Sequence, residues 1–208
     1  VFLLFNFEKK YFEKENVSCE FVGHPLLEKK DNSKINIDQI IGKNRAIISI
    51  FPGSRVSEIN NLTPILISFI KLMSQKYNDI TFVFHSTNSH KQLILSYINK
   101  SKLKNCGVIT DEKIKDYILQ KSIFAISKSG TVSLEICNLK IPSIIIYKMG
   151  LINFLIIKML VKTKYVNIIN IAAGKEIIPE LLQSNCNAEN IYNYVNDYLD
   201  NPKKIEQQ

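Results

Sequence analysis

Two short turns in this sequence carry residue types that could do chemistry. The first is Pro52-Gly53-Ser54-Arg55, followed by Glu58 and Ile59. An apolar run of strand length stops at Pro-Gly, and polar residues open a helix, the pattern of a βα unit whose loop faces a ligand. Gly53 allows close backbone approach, Ser54 offers a hydroxyl, and Arg55 offers a planar guanidinium fork. A helix N-terminus adds N–H groups and partial positive charge, so the natural guest is an anion. Arg55 and Arg45 are the only arginines in a chain whose other cations are lysines. On its own, this turn is equally well read as an ordinary strand–turn–helix with a surface arginine.

The second turn is Ser129-Gly130-Thr131, with Glu135 one helical turn further on. It repeats the same logic: a strand ends, a small flexible turn follows, and a helix begins. Glu135 shares a helix face with Thr131 by i, i+4 spacing. A carboxylate there suits ribose hydroxyls better than phosphate. The competing reading is a helix cap at Ser129 or Thr131 and a surface pair for Glu135. Two such turns in one sheet favour a nucleotide site, with the diphosphate between them, because both lie at carboxyl ends of parallel strands.

The elements that must position these turns follow from periodicity. Strands are predicted at residues 46–51, 80–85, 107–109, 123–127 and 142–147. Helices are predicted at 58–77, 92–99, 111–120, 129–139, 151–161 and 188–199. Upstream, 1–5 reads as a buried strand, 7–15 as a short charged helix and 19–22 as a short strand. Residues 28–43, rich in charge, Asn and Asp, read as a linker. Alternation at this pitch implies an α/β fold, a Rossmann-like parallel sheet with helices on both faces.

Composition narrows the class. The net charge of +8 and pI near 9.2 invite nucleic acid or an anionic membrane. The positives, however, are scattered lysines without arginine- and aromatic-rich patches, which argues against nucleic acid. The cysteines, Cys19, Cys106, Cys137 and Cys186, form no CxxC pair and read as small buried thiols. His24, His85 and His90 lack metal-ligand spacing, so no metal or other cofactor is expected. The N-terminus has no signal-peptide features and begins inside an apolar run, as a piece of something longer would.

Several blocks then occur in the order and spacing of lipid-A-disaccharide synthase. They are Phe21-Val22-Gly23-His24-Pro25-Leu26-Leu27, the Pro52–Ile59 turn, and Ser129 through Glu135. Tyr147-Lys148-Met149, Val161-Lys162-Thr163-Lys164-Tyr165-Val166, Asn170-Ile171-Ala172-Ala173-Gly174 and Pro179-Glu180-Leu181-Leu182-Gln183 complete the series. The chain resembles the C-terminal, donor-binding portion of that family.

The resemblance implies an inverting GT-B glycosyltransferase that moves 2,3-diacylglucosamine from UDP to 2,3-diacylglucosamine 1-phosphate (lipid X). Its products are a β-1,6-linked lipid A disaccharide 1-phosphate and UDP, made without a metal on the cytoplasmic face of the Gram-negative inner membrane. Residues 1–23 would be the tail of the acceptor domain, 24–45 the inter-domain linker, and 46–208 the donor domain, cut short at its C-terminus. Gly53, Ser54, Arg55 and Ser129, Gly130, Thr131 would hold the UDP diphosphate, with Arg55 neutralising the leaving group. Glu135 would bind ribose, and Asn170, Glu180 and Gln183 would line the cleft near the sugar. The general base would come from the acceptor half, so this chain alone should bind UDP weakly and transfer nothing.

Residues 151–161 are apolar almost all round, end in lysines, and are too short to span a bilayer. They read as an interfacial helix on the inner-membrane surface, or else as a buried helix or one covered by a second subunit. A homodimer is compatible with the sequence. Two rival functions remain. One is another UDP-sugar enzyme of the same fold, a MurG-like transferase or a UDP-GlcNAc epimerase, against which the 161–166 block argues. The other is a non-catalytic nucleotide- or membrane-binding remnant.

Overall fold

Isoleucine-rich runs without polar alternation, such as Ala-Ile-Ile-Ser-Ile-Phe and Ser-Ile-Ile-Ile-Tyr, suit strands covered on both faces. In the computed structural model, which describes residues 1–25, 45–150 and 164–201, these runs build a parallel sheet. After a short β1 (Phe2–Leu3), α1 (Lys9–Lys14) and β2 (Glu20–Phe21), the main domain runs β3 (Ala46–Phe51), α2 (Val56–Lys76), β4 (Ile80–His85), α3 (Asn88–Ser101) and β5 (Cys106–Ile109). It continues through α4 (Glu112–Lys121), β6 (Ser122–Lys128), α5 (Val132–Asn138), β7 (Ser143–Tyr147), α6 (Ile168–Ala173), β8 (Glu180–Leu182) and α7 (Ala188–Asp200).

The six strands β3–β8 are ordered β5-β4-β3-β6-β7-β8, with every neighbouring pair parallel. The chain winds outward in one direction from β3 and then in the other from β6, so the order reverses between them. Side chains alternate across β3. Ile48 and Ile50 join Phe69, Phe82, Phe84 and Phe124 in a core beneath α2, α3 and α7. Ile47 and Phe51 face the opposite layer, where Ile118, Leu119 and Ile136 of α4 and α5 cover them. The expected Rossmann-like sheet with helices on both faces is what forms.

Some expectations need correction. Residues 1–5 are not a buried strand: Leu3 is buried, but Phe2 is 75% exposed and the strand has two residues. β1 pairs only with β2, in a separate two-stranded sheet. Of the cysteines, Cys186 is buried and Cys137 exposed, with Cys19 and Cys106 between. α6 and β8, six and three residues long, are too short for periodicity to mark. The predicted linker at 28–43 and helix at 151–161 lie outside the described residues. Among the described residues, no helix is long and apolar enough to cross a membrane.

Candidate functional site

The loops after β3 and β6 leave the sheet side by side where the strand order reverses, which is where open α/β sheets bind ligands. A cavity of about 250 Å³ lies there. Its walls include Gly53 and Ser54 from the first turn, Ser129, Gly130 and Thr131 from the second, and Glu135. The two turns therefore converge on one space. Arg55, Asn170, Glu180 and Gln183 are not in its walls.

The first turn is built around Glu58. Its carboxylate accepts the backbone N–H groups of Ser54 (3.0 Å) and Arg55 (3.3 Å), capping the start of α2. These two amides are thus spent within the turn, and are not free for an anion as the sequence suggests. Gly53 has φ +110°, and a Cβ there would come within 2.8 Å of Glu58 Cβ, so only glycine fits. Arg55 sits at the N-cap with its side chain 79% exposed, and its guanidinium is 3.9 Å from Glu58. Lys128, the last residue of β6, bonds the same carboxylate at 3.1 Å. Burial raises the Glu58 pKa, but Lys128 and the two amides outweigh it and leave the group below the usual carboxylate range.

The second turn is held from behind by the residues expected to meet the sugar. Ser133 donates its hydroxyl to the Gly130 carbonyl (2.7 Å) and accepts from Asn167 Nδ2 (2.8 Å). Ser129 donates to the Val166 carbonyl (3.0 Å). Residues 166 and 167 are in turn fixed by Glu180, whose carboxylate accepts both their N–H groups at 2.9 and 3.0 Å. Asn170 is fully buried. It donates to Glu180 and to the Ile178 carbonyl, and accepts from the N–H groups of Ile177 and Ile178. Gln183 makes an amide-like pair with both backbone groups of Met149. In this structure these three side chains brace the second turn and its neighbourhood, and their polar atoms are engaged there.

Sequence reasoning missed several groups in the cavity wall: His85 at the end of β4, Ser86 and Thr87 just after it, Glu112 and Lys115 of α4, and Lys128. Lys115 reaches Glu112 at 2.6 Å, Glu135 at 3.2 Å and Asp116 at 3.6 Å. Burial depresses its pKa, but the carboxylates more than compensate and hold it above the usual lysine range. No periodicity reveals such a cluster, since it assembles from α4 and α5 only through the sheet order.

His85 is stacked on Phe51, with centroids 4.4 Å apart. Ser122 spends its one hydroxyl hydrogen on the Ile118 carbonyl, so Ser49 donates to Ser122 and His85 Nε2–H donates to Ser49. Burial, and then the Lys115 charge, push the His85 pKa down to about 3. The unfolded chain, with an ordinary histidine near 6.5, therefore binds more protons at mildly acid pH. Stability should fall as pH drops below that value and continue falling to about 3. Between pH 7 and 5 the loss from this residue should be about 2 kcal/mol. Urea unfolding at both pH values should show the loss in wild type and a much smaller one in His85→Gln. Equal losses would assign the effect elsewhere.

The family model for lipid-A-disaccharide synthetase matches residues 1–208. This chain belongs to that family. The lipid-A-disaccharide synthase of Rickettsia prowazekii is 36% identical over 208 residues, covering 98% of this chain and 54% of its own length. That of Rickettsia felis is 35% identical over 212 residues, covering 100% of this chain and 53% of its own. The chain thus spans about half the length of these family members. Among solved structures, S. aureus MnaA with UDP aligns at TM-score 0.69 and 15% identity, over 99% of this chain and 52% of that one. E. coli ADP-heptose lipopolysaccharide heptosyltransferase II aligns at TM-score 0.53 and 9% identity, over 97% and 54%. At such identities the likeness concerns the fold, which epimerases and transferases share. Membership of the synthetase family rests on the family-model match over residues 1–208.

Proposed function

We propose that this chain supplies the donor site of a lipid-A-disaccharide synthase. The whole protein transfers 2,3-diacylglucosamine from UDP to 2,3-diacylglucosamine 1-phosphate (lipid X), giving the disaccharide 1-phosphate and UDP. The observation that carries this reading is the meeting of the Pro-Gly-Ser-Arg and Ser-Gly-Thr turns in one cavity, with Glu135 in its wall, in a chain of this family.

In this reading residues 46–208 form the donor domain, 24–45 the linker, and 1–23 the tail of the acceptor domain. UDP enters with its diphosphate between the two turns. Ser54 and Thr131 offer hydroxyls, Gly130 leaves room for close approach, and Glu135 accepts the ribose hydroxyls, while Ser129 and Gly53 shape the two turns through Val166 and Glu58. Arg55, exposed on the rim, swings over the departing UDP and stabilises its charge as the glycosidic bond breaks. The base that deprotonates the attacking hydroxyl comes from the acceptor half. The whole protein works as a peripheral enzyme at the cytoplasmic face of the inner membrane, from which both acylated substrates are drawn.

The test is a calorimetric titration of UDP into this chain, paired with a transfer assay. UDP should bind saturably and weakly, Arg55→Ala should weaken it, and the chain alone should make no disaccharide. Joining it to the acceptor half of a Rickettsia relative should give transfer. Absence of saturable UDP binding would overturn the proposal.

A further inference from the structure

We infer that Lys128 is the cation that meets the diphosphate inside the cavity, acting from the base of the second turn while Glu58 holds it in place. This rests on the UDP reading above and assigns the charge that the reading needs to a residue that the sequence motifs do not mark.

The argument begins with position. Lys128 ends β6 and directly precedes Ser129-Gly130-Thr131, so its side chain starts from the floor between the two turns. That side chain is only 21% exposed. The ammonium lies 3.1 Å from Glu58 and 5.2 Å from the centre of the Tyr147 ring, which limits the conformations open to it. Arg55, by contrast, is 79% exposed and outside the cavity wall. A diphosphate lying between the turns meets Lys128 without rearrangement, whereas Arg55 must move to reach it.

Charge balance separates Lys128 from the other lysine in the wall. Lys115 is surrounded by the carboxylates of Glu112, Asp116 and Glu135, so its positive charge is more than matched locally. Among the described residues Lys128 pairs with a single carboxylate, and Glu58 divides itself among Lys128, the amides of Ser54 and Arg55, and the Arg55 guanidinium. Positive charge is therefore left over at the junction of the turns. An ammonium has three hydrogens, and bonding Glu58 with one leaves others for phosphate oxygens. Glu58 then has two tasks in one place: it shapes the first turn through the amides and aims Lys128 from the second. A partly buried cation with fixed direction stabilises diphosphate charge more than an exposed flexible one, because solvent screens it less.

The experiment is to titrate UDP, UMP and uridine into the chain as wild type, Lys128→Met, Lys128→Gln and Lys128→Arg. Wild type should bind UDP more tightly than UMP, and UMP more tightly than uridine. Lys128→Met and Lys128→Gln should each lose about tenfold or more in UDP affinity, shrink the UDP-to-UMP ratio towards one, and leave uridine within about twofold. Retained uridine binding shows that the site is still folded. Lys128→Arg should restore part of the UDP-to-UMP ratio. A wild-type ratio preserved in Lys128→Met and Lys128→Gln would overturn the assignment while leaving the UDP site standing. Wild type that fails to bind UDP, or binds it no better than uridine, would overturn both.

Discussion

Replacing Asn170 by alanine is expected to lower the unfolding free energy by about 3 kcal/mol and to weaken nucleotide binding without removing any group from the cavity wall. Asn170 is fully buried and makes four hydrogen bonds, two given and two received. Alanine would leave the N–H groups of Ile177 and Ile178 without their acceptor, and each stranded buried group costs more than a made bond contributes. Glu180 would also lose the amide that orients it. Since Glu180 fixes the backbone at 166 and 167, and these hold Ser129 and Ser133, the loss travels to the Ser-Gly-Thr turn. Asn170→Asp is expected to be as harmful, because it would set one carboxylate against another where an amide now donates. Urea unfolding of both variants checks the first claim, and UDP titration under folding conditions checks the second. A loss below about 1 kcal/mol would overturn the first claim, and unchanged UDP affinity in a destabilised variant would show that the brace does not reach the turn.

That brace explains where reading the sequence succeeded and where it stopped. The strands at 46–51 and 80–85 were legible to the residue, because each is an apolar run bounded by turn or polar residues. Both cavity-lining turns were legible because Gly and Pro punctuate the chain there, and parallel topology then forces them to the same edge. The structure adds a specific cause at Gly53, whose positive φ and contact with Glu58 exclude every other residue. Asn170, Glu180 and Gln183 stand out through the family blocks, but the contacts they make here are not legible in the sequence. Their partners are backbone groups up to 34 residues away and, between Asn170 and Glu180, one another's side chains, none of which leaves a periodic trace.

The cations show the same limit. A motif-based reading selects Arg55 because it sits beside Gly and Ser in the turn. At the N-cap of α2, however, the backbone is extended and the side chain leaves towards solvent. Lys128 and Lys115 look unremarkable among so many lysines. What distinguishes them is placement: one at the end of a central strand, the other on a helix whose neighbour carries Glu135. Charge counts along a sequence cannot see which lysines the sheet order folds into one cavity.

Glu135 offers the sharpest functional prediction. Glu135→Ala is expected to weaken UDP binding about thirtyfold, roughly 2 kcal/mol, the range for hydrogen bonds to a charged group. The carboxylate is held 3.2 Å from Lys115, and both side chains are about 85% buried, so its direction is set before any ligand arrives. If its partners are ribose hydroxyls, the penalty should nearly vanish with 2′,3′-dideoxy-UDP, which wild type should already bind poorly. Lys115→Met should reproduce much of the loss with UDP and little of it with the dideoxy nucleotide, because its part is to aim Glu135. Calorimetry with the two nucleotides and three proteins separates the possibilities. A Lys115→Met loss equal for both nucleotides would place Lys115 on the base or the phosphates. A Glu135→Ala loss equal for both would detach Glu135 from ribose altogether, and its ion pair with Lys115 would then be a structural contact between α4 and α5 at the edge of the site.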